Sequence, residues 1–441
     1  MDMNKKSRVL QSSIRQRGNT ETNASQSNVH CDRKNLSRAR PTIDWEKGVI
    51  DWHLDEDSCK IEFLAVGDIL VEGSFLGIVE DVINTRGGAF LFAPFQPIFL
   101  SADIVMGNLE NPLSNKGDPI YKIGPNFRAS PKMAKVLRKA GFTVLGVANN
   151  HIRDYGDLAL IETLEHLQSE GLVAVGVGRN VYSAMKPAIV RIGELSVGIF
   201  AFTYRQESVA HLSQPGAADL DDPKCFDLVR EFSSKVDAVI VSLHMDTEYS
   251  NYPAPYRIRM AHKFIDMGAE MVIGHHPHVP QGLEIYKGKL IAYSLGNFTF
   301  HTQRQRPLTS LGYILRTRLT KNGTASAAII PYKIGDCFQR GHSTCQAVPL
   351  SNRDRENAMR HLRQISSGLS DQAIASSNWS KIANKEAIMI IKHIVVGILR
   401  RKPYTLWLPH LTLLRYRAQE FLKGFVKFNR ARSLAMHRAD S

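Results

Sequence analysis

Seven short apolar runs, rich in β-branched residues, punctuate the middle of the chain. They are "IEFLAV" (61–66), "ADIVMG" (102–107), "TVLGVA" (143–148), "SVGIFAF" (196–202), "VDAVIVSL" (236–243), "AEMVIG" (269–274) and "KLIAYSL" (289–295). Between them, apolar positions recur every three or four residues in "PKMAKVLRKAG" (131–141), "LALIETLEHLQSEG" (158–171) and "APYRIRMAHKFIDMG" (254–268). The runs predict strands and the longer period predicts helices. Glycine after a helical period is a usual left-handed cap. Strands alternating with helices over roughly 60–300 predict a layered α/β domain. Residues 301–380 are less regular, with a polar helix expected over 351–366, opened by Ser351 with Asp354 at capping-box spacing. No internal repeat stands out.

The segment before the first run changes the picture. Residues 1–45 are rich in Ser, Asn, Gln and Arg and cannot bury enough apolar surface to offset ordering, so they read as disordered. The basic N-terminus has no apolar core of a signal peptide, and no run of about 20 apolar residues occurs further along. At 441 residues with 43% apolar content, the chain suits one large globular domain plus appendages, or two domains. The organisation expected is a disordered segment 1–45, an α/β domain 58–335, a polar connecting region 336–380 and a basic tail 381–441. Five scattered cysteines contain no CxxC pair, which excludes a disulfide framework and a zinc ribbon.

Charge is unevenly spread. The net charge is +14, and the span 381–441 alone holds thirteen Lys or Arg against three acids. A near-neutral middle with a basic end predicts a localised contact with an anion rather than a nucleic-acid platform.

The residues at the end of each strand carry the candidate chemistry. Gly67-Asp68 comes after "FLAV", Asn108-Leu109-Glu110 after "DIVMG", and Asn149-Asn150-His151 after "VLGVA". His244 comes after "AVIVSL", His275, His276 and His278 after "MVIG", and Asn297 after "IAYSLG". In α/β sheets the carboxyl ends of the strands share one edge, where ligands bind. Asp68 and Glu110 offer hard oxygens, Asn150 a neutral carbonyl, and His244, His276 and His278 imidazoles. This mixed oxygen–nitrogen set suits two divalent cations of the Mn, Fe or Zn type. Pro277 and the preceding glycine offer the bend that brings His276 and His278 to one place. Each piece alone has a plainer reading. Gly-Asp after a strand is commonly a turn, "NNH" can cap a helix, and a lone His244 is commonly a hydrogen-bonded core residue. The "HHPH" tract points to metal more strongly.

The blocks "ADIVMGNLENPL", "GFTVLGVANNHIRDYG", "SLHMDTEY" and "IDMGAEMVIGHHPHVPQGLEIYKGKLIAYSLGNFTF" resemble the CapA family of capsule-synthesis proteins, named for poly-γ-glutamate capsule biosynthesis. The resemblance covers roughly 60–300. It implies a branch of the calcineurin-like metallophosphoesterases, with a four-layer α/β/β/α sandwich and metals at the strand ends. By motif, Asp68 would bind the first metal and Glu110 would bridge. Asn150, His244 and His276 would hold the second metal, and His278 would return to the first. His151 would serve as general acid or oxyanion donor, oriented by Asp154. Asn108, His275, Glu248 and Asn297 would line the substrate rim. The chain departs from the pattern in "HMDTEY", where Asp246 adds a charge beside His244. It departs again in the Arg-containing "YRIRM", in His301, and in "GDIL", which lacks a histidine.

The end of the chain reads differently. "AIMIIKHIVVGIL" is thirteen residues with a lysine inside, too short to span a bilayer. Tyr404 and Trp407, flanked by Arg400, Arg401, Lys402, Arg415 and Arg417, suit a membrane interface. Phe421, Phe425 and Phe428 lie opposite Lys423, Lys427 and Arg430, as on a basic amphipathic helix. The same helix could instead pack on the catalytic domain with a solvated basic face. The sequence thus predicts a cytoplasmic or membrane-peripheral protein, and a metal-dependent hydrolase of a phosphoester or anionic-polymer linkage. Two alternatives stay open: a non-catalytic scaffold or polymer binder in a membrane-associated capsule synthesis complex, and a metal-dependent amide hydrolase or transferase.

Overall fold

The computed structural model describes residues 41–382 except 55–59, 72–77, 123, 205–206, 304 and 336–343; beyond 382 it describes only 388 and 391. Two sheets form its middle. The first runs in the order Thr42–Asp44, Val49–Asp51, Gly323–Ile334, Leu311–Thr320, Ile61–Ile69, Ile104–Leu109, Val144–Gly146, Val173–Val175. Its last four strands are parallel. The second runs Leu283–Tyr286, Lys289–Ala292, Met271–His275, Ala238–His244, Leu195–Thr203, Ala188–Ile192, with the middle four parallel.

The predicted strands are buried from end to end because they are covered on both faces, which explains their continuous apolar character. On the outer side of the second sheet, helices Lys224–Phe232 and Pro255–Asp266 pack Val229, Ala261 and Phe264 against Phe202, Val241 and Val272. The rings of Phe200, Phe202 and Phe264 stack in sequence with centroids 5.7 Å apart. Helices Met133–Ala140 and Gly156–Ser169 cover the first sheet with Leu137, Leu160 and Leu167. The sheets meet through their inner faces. A Cβ built on Gly146 of the first sheet would lie 3.5 Å from Ser242 Oγ of the second. Helix, sheet, sheet, helix is the four-layer α/β/β/α order that the sequence predicts.

Three expectations need correction. The composition predicts disorder as far as residue 45, but Thr42–Asp44 pairs antiparallel with Val49–Asp51. The "less regular" region holds the two longest strands, Leu311–Thr320 and Gly323–Ile334. In Leu311–Thr320 the pattern is hidden because Arg316 and Arg318 interrupt the apolar positions, both pairing with Glu62 on the neighbouring strand; Gly323–Ile334 opens on the small and polar run "GTASAA". Ser351 does stand at the N-cap of Asn352–Ser366, yet its side chain makes no capping bond. The predicted amphipathic helices of 381–441 fall outside the described residues. Among the described residues no helix is long and apolar enough to cross a membrane.

Candidate metal centre

Pairing registers bring the polar strand ends together. Asp68 pairs with Asn108 on one side and Asn297 on the other, and Asn108 pairs with Gly146. In the second sheet His244 pairs with His275. The alternation of side chains turns Ile240, Ser242 and His244 toward the first sheet, as it does Met271, Ile273 and His275. The carboxyl ends of the two sheets therefore face each other across a seam. The first sheet brings carboxylates and amides to it, the second brings imidazoles.

Two glycines let the strands come close enough. A Cβ on Gly67 would fall 1.8 Å from Gly296 O, and one on Gly274 would fall 1.8 Å from Tyr293 O. Neither position tolerates a side chain without backbone movement. The expected bend after Gly274 is made by the histidines themselves, since His276 has φ 96° and His278 φ 58°. Such values are strained for residues with a Cβ and cluster at functional sites.

The donors converge. Ligand atoms of Asp68, Glu110 and His244 all lie within 4.8 Å of one another. His244 Nε2 is 2.8 Å from Asn150 Oδ1. The His244 and His276 rings are 4.7 Å apart, and those of His276 and His278 5.9 Å. His278 Nδ1 lies 3.4 Å from Asp68 Oδ2 and 3.0 Å from Asn297 Oδ1. All six residues predicted to hold metal thus sit around one seam.

The rim residues are placed differently. Asn108 is at the centre, its Nδ2 2.9 Å from Asp68 Oδ1, 3.0 Å from Glu110 Oε1 and 3.2 Å from His244 Nδ1. His275 is buried, with Nδ1 3.3 Å from Asp68 Oδ1. Asn297 is buried between His278 and the backbone of Thr309. Strand alternation and register, invisible in a linear motif, move these three inward. Glu248 alone of the four is partly exposed.

His151 lies beside the seam, held from behind. Its Nδ1 is 2.7 Å from Asp154 Oδ2. That carboxylate also accepts Phe127 N–H at 2.7 Å and is paired with Lys122. Nε2 is therefore the nitrogen turned away from the ion pair. Lys122 was missed by sequence reading. It sits 2.9 Å from His151 Nδ1 with a nearly buried side chain. Nothing in the loop "YKIGPNF" distinguishes it from a surface lysine. Asn149 was also missed: it donates to Leu109 O at 2.6 Å and accepts from His151 N–H, fixing the turn that aims "NNH".

Electrostatics mark the seam as a place for positive charge. Burial opposes the ionised Asp68, but the close approach and charge of His275 and His278 hold its carboxyl well below the usual range. Burial and then the charge of Asp68 push Glu110 well above it. Burial holds His244 well below its ordinary value, so the ring is neutral and fit to ligate. For His278, burial is outweighed by a hydrogen bond and charge from Asp68, and the ring rises to about 9. Glu110 Oε2 is buried with no hydrogen-bond partner among the described residues. An orphaned buried carboxylate oxygen beside a second carboxylate is costly unless a cation satisfies both. The donor set fits a divalent transition metal.

A family model described as bacterial capsule synthesis protein PGA_cap matches residues 62–302, which contain every donor named above. The capsule biosynthesis protein CapA of Bacillus anthracis is 30% identical over 352 residues, covering 78% of this chain and 81% of that protein. The PGA biosynthesis protein CapA of Bacillus subtilis (strain 168) is 32% identical over 275 residues, covering 61% of this chain and 70% of that one. A Mycobacterium tuberculosis protein named a probable polyglutamine synthesis accessory protein is 30% identical over 210 residues, covering 45% and 55%.

Proposed function

This chain belongs to the bacterial capsule synthesis protein family, and from that premise we propose that it is a metal-dependent hydrolase. Its substrate is a phosphoester or anionic-polymer linkage used in making a polyglutamate-type capsule. The observation that carries the reading is the convergence of Asp68, Glu110 and His244 within 4.8 Å, with a buried carboxylate oxygen left unsatisfied.

In this reading Asp68 and His278 would hold one cation, Asn150, His244 and His276 would hold the other, and Glu110 would serve both. Bound metal would supply a water activated at neutral pH and Lewis-acid polarisation of the scissile group. The chain's own residues do the rest. Asn108 orients the two carboxylates through its amide. Lys122 neutralises Asp154, so that Asp154 can fix the His151 ring without demanding that it be charged. Burial, with the charge of Lys122, lowers the His151 value, and Nε2 is left to move a proton at the leaving group. Phe127, with its ring 4.4 Å from that of His151, keeps water from one face of it.

Elemental analysis paired with a turnover screen over phosphomonoesters, phosphodiesters and γ-glutamyl amides tests this reading. About two equivalents of transition metal are expected, with phosphoester turnover. Turnover of the amides alone would move the substrate class to the amide reading. Parent and His276→Ala protein equally devoid of metal would defeat it. We also propose that the basic span 381–441 engages an anionic membrane surface. Liposome flotation with and without that span decides, and equal flotation ends the proposal.

A further inference from the structure

We infer that His275 is itself a metal ligand, sharing a cation with Asp68. The inference rests on the metal-dependent reading above and adds a residue to it. Sequence reading left His275 at the rim of the site.

Three observations carry it. His275 ends strand Met271–His275, and the alternation that sends Met271 and Ile273 into the core between the sheets sends His275 the same way. It is 2% exposed, and its Nδ1 is buried with no hydrogen-bond partner among the described residues. That nitrogen nevertheless lies 3.3 Å from Asp68 Oδ1, close to the 3.4 Å between His278 Nδ1 and Asp68 Oδ2. Neighbouring ligands each about 2.0–2.2 Å from one cation lie about 3 Å apart. The spacing is therefore that of co-ligands.

Asp68 does not need His275 for hydrogen bonding. Oδ1 already accepts from Asn108 at 2.9 Å, and Oδ2 from the His276 backbone N–H at 3.2 Å. Without His275, the cation at Asp68 would have the carboxylates of Asp68 and Glu110 and one imidazole, from His278. With it, two imidazoles would join the two carboxylates. That set holds zinc or iron firmly while leaving positions open for water and substrate.

The test uses the full chain, stripped with a chelator and titrated with Zn²⁺ or Co²⁺. Stoichiometry and affinity are read by calorimetry and elemental analysis, and the Co²⁺ absorption is recorded. Two variants are compared with the parent. His275→Ala removes the imidazole. His275→Gln keeps an N–H that can still donate to Asp68. If His275 is a ligand, both variants lose about one equivalent or bind it at least tenfold more weakly. Both also show a changed Co²⁺ spectrum, while the metal-free melting temperature of the Gln variant stays near that of the parent. Parent-like stoichiometry, affinity and spectrum in His275→Gln would overturn the inference and leave a plain hydrogen-bond donor. A parent that holds no metal at all would overturn the wider reading as well, so the two failures are distinguishable.

Discussion

The two sheets put unlike chemistry on facing edges. The first sheet ends in Asp68, Asn108 and Glu110, with the Asn149–His151 turn beyond Val144–Gly146. The second ends in His244 and His275, with His276 and His278 in the turn beyond it. Oxygen donors on one side and nitrogen donors on the other mean that neither sheet makes a site alone. The pairing also splits the response to pH. Asp68, held low on the first sheet, favours the folded state at higher pH. A histidine held high on the second favours it at lower pH. A site assembled across a seam is lost when either edge is lost.

The largest effect should come from taking one donor from each edge. Asp68→Ala and His244→Ala are each expected to lose bound metal and to lower turnover by about a thousandfold, since metal activation is worth several kcal/mol. If one variant keeps full metal and rate, the seam is not shared, and elemental analysis with initial rates decides. Next comes His151→Ala, which should keep its metal while turnover falls by about 10²–10⁴-fold. Parent-like rates would remove His151 from the chemistry.

Two further measurements probe the difference between the edges in metal-free protein. His278 is raised from 6.5 to about 9 on folding. Its contribution is therefore complete below about pH 6.5 and lost as pH climbs through 9. The melting temperature of stripped parent should fall over that window, and Asp68→Asn should flatten the fall. The smallest effect lies on the first-sheet side, at Glu162. Its hydrogen bond from Ser114, with further help from Lys116 and the Asn115 backbone, lowers it from 4.5 to about 2. That stability is present above pH 4.5 and disappears as pH falls toward 2. Glu162→Gln should cost about 1 kcal/mol at pH 7 and almost nothing near pH 2, as acid-range melts would show.

Much of the body was legible before any coordinates. Runs of β-branched residues between amphipathic stretches marked most of the parallel strands of both sheets, because burial on both faces demands unbroken apolar sequence. Strand Gly323–Ile334 escaped notice because it opens on small and polar residues, and Leu311–Thr320 because Arg316 and Arg318 interrupt its pattern and are paired by Glu62 from another strand. A residue whose partner lies some 250 positions away leaves no local trace. Lys122 escaped for a similar reason, as its buried charge is balanced by Asp154, 32 positions further along the chain.

The sequence by itself determined which donors exist and that each lies at the end of a strand, since hydrophobic period and residue chemistry are local properties. Only the tertiary structure decided which of them meet. Whether a residue at a strand end points into the seam or away from it depends on pleat and register. Those are set by neighbouring strands and by close contacts such as Gly67 on Gly296. Asn108, His275 and Asn297 moved from the rim to the interior on that account alone.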